Sequence, residues 1–312
     1  MNSAVLPPAL RPGGTIGLVA PSRWPKPEWV AATVETLEKQ GYRVVVHAQT
    51  SLRDGQLAGD DAARAGAIMA MFLDPAIDAI LCARGGMGAL RLLDRLDYEA
   101  IRRNPKPFVG FSDITTLLQA ITKQSGLVTY HGPMAVSFAR SENDPCTVAD
   151  LLAVLGGEAG GLRYPDVDVA RGGAAEGVLV GGNMALLQNL IGTPYDWSGE
   201  GALLFLEDVD EPLYKIDRTL THFRLAGKFK GARAVMIGEM VAITDGETGA
   251  NREGEKPYGK TLQQIVTEHV PPDVPLCFNF PCGHGRYATT LPVGGRARLT
   301  LDDDGAALRL FV

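Results

Sequence analysis

Apolar residues fall into short runs separated by turn-forming residues, and their spacing alternates between two periods along the chain. Thr15–Ala20 is an almost unbroken apolar run closed by Pro21-Ser22, the pattern of a buried strand followed by a turn. Glu28–Gln40 places Val30, Val34 and Leu37 on one helical face and stops at Gly41. Arg43–Val46 is β-branched and predicts a strand. Further on, the spacing predicts a helix over Ala58–Leu73, a buried strand over Ile77–Ala83 and a helix over Ala89–Leu96. Pro107–Phe111 then predicts a strand and Ile114–Thr122 the start of another helix. Strand and helix in alternation with short turns predict a parallel sheet covered on both faces. Ligands of such sheets sit at the carboxyl ends of the strands.

The composition changes at the Gly-rich, polar stretch 156–177, which predicts a linker between a domain over 1–155 and a second over 178–312. Beyond it, Val178–Val180 predicts a strand, followed by a helix through Leu190. Gly201–Leu206 predicts a strand ending in Glu207-Asp208, Leu213–Leu225 a helix, and Ala234–Ile237 a strand. Asp245–Tyr258 reads as a polar surface loop and Thr261–His269 as a helix. Arg296–Leu301 and Ala307–Val312 predict a hairpin around Asp302–Gly305. The second half is thus a smaller mixed α/β domain.

Composition narrows the function. Of 312 residues, 46% are hydrophobic and 21% charged, which excludes a disordered chain. Thirty basic against 36 acidic residues leave a net charge of −6, which argues against nucleic acid as a partner. Apolar runs such as Ala67–Leu73 fall far short of the ~20 residues a membrane span needs. The chain has no basic residue before Arg11 and carries Pro7, Pro8 and Pro12, so its start does not read as a secretory signal. The four cysteines, Cys82, Cys146, Cys277 and Cys282, read as reduced thiols of a cytoplasmic protein. Cys277 and Cys282 have no second, equally spaced pair, so no metal site is expected.

The sharpest candidate chemistry is Gly110-Phe111-Ser112-Asp113, where an apolar strand runs into a serine and a helix leaves it. A serine so placed stands at the top of the sheet with a helix N-terminus behind it, suited to nucleophilic attack. By pattern alone an N-cap is the simpler reading, because a full G-x-S-x-G needs glycine where Ile114 stands. A base is offered by His284, between Gly283 and Gly285, with His131 in Tyr130-His131-Gly132 as its rival. Glu207 at a strand end is the candidate acid to orient the ring, or else a solvated strand end. Arg84-Gly85-Gly86-Met87-Gly88 follows a buried strand and reads as a phosphate cradle, an oxyanion-hole turn or a plain tight turn. A dinucleotide fingerprint would need glycine at Arg91. Gly254–Thr261 fits G-x-x-x-x-G-K-[ST] letter for letter, but ten polar residues rather than a buried strand precede it.

Taken in order, Gly14–Ser22, Arg84–Gly88, Gly110–Asp113, His131-Gly132-Pro133, Gly181-Gly182-Asn183, Leu206-Glu207-Asp208, Asp217-Arg218 and Gly283-His284-Gly285 form an ordered set. Over residues 13 to 300 the chain resembles the LD-carboxypeptidases, which include murein tetrapeptide carboxypeptidases and microcin C7 self-immunity peptidases. The resemblance implies a Rossmann-like N-terminal domain, a β-rich C-terminal domain and a homodimer. It also implies a Ser-His-Glu triad falling on Ser112, His284 and Glu207, an oxyanion hole from the backbone N–H groups of Gly86 and Asp113, and no cofactor. Met87 stands where the family often has an aromatic residue.

The function expected is a serine carboxypeptidase that cuts a terminal D-residue, D-alanine, from the LD bond of a muropeptide. A free carboxylate calls for a cation, for which Arg84 is the candidate. Three alternatives remain at this point. One is amide hydrolysis of a peptide-nucleotide antibiotic, with Trp197 or the loop from Asp245 to Tyr258 as base platform. The second is a nucleotide-dependent enzyme using Gly254–Thr261, and the third a catalytically dead muropeptide binder.

Overall fold

Five short segments in the first 131 residues form parallel strands: Thr15–Val19 (β1), Arg43–Val46 (β2), Ala79–Cys82 (β3), Phe108–Gly110 (β4) and Thr129–His131 (β5). They belong to a computed structural model that describes residues 4–139, 146–158, 160–246 and 256–311. β1, β3 and β4 are buried along their whole length, as strands covered on both faces must be. The helices between them are amphipathic. Asp60 caps Asp61–Leu73 through a 2.7 Å bond from Ala63 N, and that helix buries Ile68, Met71 and Phe72. Phe72 stacks on Phe108 of β4 with ring centroids 5.8 Å apart.

The Gly-rich stretch read as a linker over 156–177 folds into strands instead. Gly161–Tyr164 (β6), Asp168–Arg171 (β7) and Gly173–Asn183 (β8) pair with later strands, and their backbone bonds need no apolar side chain. Ala202–Val209 (β9), Ala234–Val241 (β10) and Leu276–Gly283 (β11) follow. Leu291–Val293 (β12) pairs antiparallel with β5 and joins the first sheet. Arg296–Asp302 (β13) and Gly305–Phe311 (β14) form the expected hairpin. The first sheet has the order β12-β5-β4-β3-β1-β2, and the second has the order β6-β14-β13-β8-β9-β10-β11-β7. In the second, β8, β9, β10 and β11 run parallel and the outer strands antiparallel.

The chain separates into two units. One comprises Met1–Ala159 and Arg286–Gly295, the other Gly160–Gly285 and Arg296–Phe311. The architecture is thus α/β: a mostly parallel sheet in one unit and a larger mixed sheet in the other. No helix among the described residues is long and apolar enough to cross a membrane.

The returning segment is held in the first unit by its pairing with β5 and by one buried acid. Asp150, on the helix Cys146–Leu155, accepts from Thr290 N at 2.6 Å and from the Thr289 hydroxyl at 3.2 Å. Asp150→Ala leaves these buried donors without that acceptor, a loss of about 2 kcal/mol. The expected outcome is a thermal midpoint lowered by several degrees at pH 7; an unchanged midpoint means these bonds contribute nothing net.

Candidate active site

β4 delivers Ser112 in an unusual conformation. Its φ is +61°, in the left-handed region that a non-glycine side chain enters only at a local cost. Ser112 opens a short 3-10 turn, Ser112–Ile114, that runs into the helix Thr115–Ser125. The N-cap reading fails here. The turn begins at Phe111 and the helix at Ile114, neither with a side-chain cap bond, so Ser112 is not the cap. Its half-buried side chain stands at the positive end of the helix dipole.

The turn after β3 lies against this serine. A Cβ on Gly85 would sit 3.0 Å from Ser112 Cβ, 3.2 Å from its Oγ and 3.3 Å from Asp113 N, so any larger residue would press the serine aside by a few tenths of an ångström. Gly86 follows with φ +113°. Arg84 donates to Trp24 O at 3.0 Å and lies over the Trp29 ring, 5.2 Å from its centroid. Met87 is half exposed.

Two groups outside the expected set brace the turn. The buried Asp113 carboxylate accepts from Ser22 Oγ at 2.5 Å and from Ala89 N at 2.9 Å. Burial pushes its pKa up, while these two bonds and the charges of Arg64 and Arg23 oppose the rise. Arg64 is wholly buried, donates to Pro21 O at 2.5 Å and to Gly88 O at 2.9 Å, and pairs with Asp61. Arg64 interrupts an otherwise small and apolar helix face, which is the signal in the sequence that points to it.

In the second unit, β9 and β11 bring an acid and an imidazole together. Glu207 is fully buried, and its Oε2 lies 2.7 Å from His284 Nδ1. Gly283, at φ +105°, makes the approach possible, since a Cβ there would meet Glu207 Oε2 at 2.6 Å. The rival His131 is 1% exposed and packs edge-on against Phe111 in the first unit, 6.0 Å between centroids. Glu207 and His284 belong to one unit, and Ser112, Asp113, Gly86 and Arg84 to the other.

A second carboxylate was not anticipated. Glu239 on β10 sits where a Cβ of Gly285 would go, and burial pushes its pKa up. Its place at the carboxyl end of an apolar strand, like that of Glu207, was the available signal. Asp208 faces away from this pair. It accepts from Asn183 Nδ2 at 2.9 Å, Val209 N at 2.9 Å and Ala185 N at 3.1 Å.

Other candidates are occupied elsewhere. Trp197 is buried on Phe223 at 5.1 Å and donates to Leu187 O. Gly254 and Glu255 lie outside the described residues. Within the rest of that motif, Lys260 pairs with Glu268 at 2.6 Å and Thr261 caps the helix Leu262–His269. Cys277 and Cys282 are buried, with burial pushing the Cys277 thiol up to about 12.

Residues 16–132 match the model of the LD-carboxypeptidase N-terminal domain, and residues 176–299 match that of the C-terminal domain. The chain belongs to the LD-carboxypeptidase family. It is 32% identical over 312 residues to the "Probable murein peptide carboxypeptidase" of Bacillus subtilis (strain 168), covering 98% of this chain and 95% of that protein. It is 31% identical over 296 residues to the murein tetrapeptide carboxypeptidase of Pseudomonas aeruginosa PAO1, covering 92% and 93%. The solved MccF-like protein from Bacillus anthracis str. Ames superposes with a TM-score of 0.85 at 27% identity, covering 99% of this chain and 100% of that one. As an LD-carboxypeptidase the chain is a hydrolase of the serine-type carboxypeptidase class.

Asp208 generates a pH dependence in this LD-carboxypeptidase. Burial and the neighbouring Glu207 charge push its pKa from 3.8 to about 7. The folded form therefore holds the proton more tightly than the unfolded one. Asp208's contribution to stability is full below about pH 4 and is lost as pH rises through about 7. Asp208→Asn is expected to flatten the fall in thermal midpoint between pH 5 and pH 7.5; a slope identical to that of the parent protein contradicts the assignment.

Proposed function

We propose that the chain hydrolyses the last peptide bond of a muropeptide, between an L-centre and a terminal D-residue, and releases D-alanine. The observation that carries this reading is the 2.7 Å bond from His284 Nδ1 to the buried Glu207. A carboxylate so placed fixes the ring and its tautomer, leaving Nε2 as the basic nitrogen. The relatives named for murein peptides support the substrate class.

In this mechanism Ser112 Oγ attacks the scissile carbonyl carbon while His284 Nε2 takes its proton. Glu207 stabilises the imidazolium, and the N–H groups of Gly86 and Asp113 hold the oxyanion. Collapse of the tetrahedral intermediate breaks the C–N bond, and His284 gives the proton to the departing amine. Water, deprotonated by His284, then cleaves the acyl-serine ester and returns Ser112. Arg84 binds the free carboxylate of the substrate. The strained φ of Ser112 supports the nucleophile role, because a merely structural serine gains nothing from it. The working form in this reading is a homodimer, on the family's pattern. It is cytoplasmic, where its four free cysteines stay reduced.

The alternatives are less well supported. A peptide-nucleotide needs an aromatic face: Trp197 is buried at 4% exposure, residues 247–255 of the candidate loop lie outside the described residues, and Tyr258 donates its hydroxyl to Asp217. A phosphate loop needs its lysine and threonine available, and Lys260 and Thr261 have structural partners. ATP with magnesium is expected to leave the thermal midpoint unchanged.

Incubation with murein tetrapeptide, followed by assay of free D-alanine, tests the reading. Ser112→Ala and His284→Ala are each expected to lower kcat by about 10⁴-fold. Release of D-alanine at the parent rate by Ser112→Ala removes the nucleophile from Ser112.

A further inference from the structure

Two arginines flank the Ser112 turn, and among the described residues neither forms a close ion pair, although the charge of Arg23 is felt by the buried Asp113. Arg23 follows Ser22, the donor to Asp113, and its own backbone N–H reaches Gly85 O at 3.4 Å. Its side chain lies flat on Gly86: a Cβ there would sit 2.6 Å from Arg23 Cδ and 3.2 Å from Nε. That Nε is shielded from solvent and has no hydrogen-bond partner among the described residues. Among the described residues the guanidinium reaches only Met87 Sδ, at 4.0 Å. Arg84 is anchored in the reciprocal way, through Trp24 O at 3.0 Å and over Trp29. Each arginine thus leans on the other's neighbours, and among the described residues neither forms an ion pair with a carboxylate.

The arrangement is costly as it stands. Burial and the charge of Arg23 both depress the pKa of Arg84. Arginines elsewhere in the chain find acids: Arg91 takes Asp61 at 2.7 Å, Arg298 takes Glu176 at 3.3 Å, and Arg163 approaches Asp302 at 3.7 Å. With 36 acidic residues against 30 basic ones, counter-ions are plentiful, yet among the described residues none comes into ion-pair contact with this pair. Guanidinium groups offer planar forks of donors that match a carboxylate. An anion seated on their terminal nitrogens relieves the like-charge repulsion.

We propose that Arg23 and Arg84 form a two-arginine clamp for the terminal carboxylate of the peptide being cut. This rests on the reading of Ser112 as nucleophile, since the clamp lies on the same turn. It deepens that reading by adding Arg23 as a residue that selects peptides with a free C-terminus over internal or blocked bonds. Selectivity arises because a neutral terminus leaves both guanidinium groups unpaired.

The test compares murein tetrapeptide ending in D-alanine with the same peptide ending in D-alaninamide. The parent enzyme is expected to favour the acid in kcat/KM. Arg23→Gln is expected to bring the acid-to-amide ratio down about tenfold, chiefly through KM, on the scale of one lost charge-assisted bond. Arg23→Lys, which keeps the charge but not the fork, is expected to recover part of that ratio. A parallel fall for acid and amide, or an unchanged ratio, overturns the clamp.

Calorimetric binding of both peptides to Ser112→Ala protein separates the two readings. Tighter binding of the acid, lost on adding Arg23→Gln, supports the clamp even if the parent enzyme releases no D-alanine. That outcome fells only the proposed reaction. Equal binding of acid and amide, or competition by inorganic phosphate but not by the free-acid peptide, fells the clamp.

Discussion

The Asp113 carboxylate lies buried three residues past the end of β4, and a buried carboxylate without hydrogen bonds costs several kcal/mol. Its Oδ2 is satisfied by the Ser22 hydroxyl and the Ala89 N–H. Those donors come from the turn after β1 and the turn after β3, so one acid ties together three strand ends. Arg64 repeats the tie from below, binding Pro21 O and Gly88 O with a wholly buried guanidinium. Because each group is expensive to leave unpaired, none of the three turns moves without disturbing the others. Ser112 inherits its position from this network, as does the glycine turn packed on it.

The second unit solves a similar problem with adjacent acids on one strand. Successive side chains of β9 point to opposite faces, so Glu207 and Asp208 have separate surroundings. Glu207 meets His284 beyond the end of β11. Asp208 meets Asn183, whose own oxygen accepts from Leu186 N to cap the next helix. Irregular pairing of β10 with β11, with Asn279 at φ +57°, brings Gly283 opposite Glu239. Two carboxylates thus border the His284 loop.

Local periodicity made part of this legible. The helix Leu213–Leu225 coincides with its expected range and the hairpin of β13 and β14 falls within two residues of its own, because each has a clear amphipathic period or a turn with alternating flanks. β6 and β7 escaped because Gly161, Gly172 and their polar neighbours carry no apolar alternation; their partners lie more than a hundred residues away. β12 is only three residues long, too short to show a period, and its partner β5 lies about 160 residues away. At the site, each glycine-flanked or strand-terminal residue stood out singly. That Glu207 and His284 are partners is a 77-residue contact which no local spacing encodes. By local pattern alone Ser112 reads as a cap, because backbone strain leaves no trace in composition.

Strain and unpaired polarity occur at several of these residues in each unit, as they do at others such as Arg171 and Asp210. Ser112 is left-handed, Arg23 and Arg84 stand without a carboxylate, and Glu207 Oε1, Glu239 Oε2 and Arg23 Nε are buried without a hydrogen-bond partner among the described residues. Each feature lowers the stability of the fold, and each has an obvious stabilising replacement: glycine at 112, or a neutral residue at 23 or 239. A chain shaped for stability alone has no reason to keep them. Their retention follows if the groups meet their partners only in the working complex, where an oxyanion, a carboxylate or a protonated imidazole completes what folding leaves unpaired.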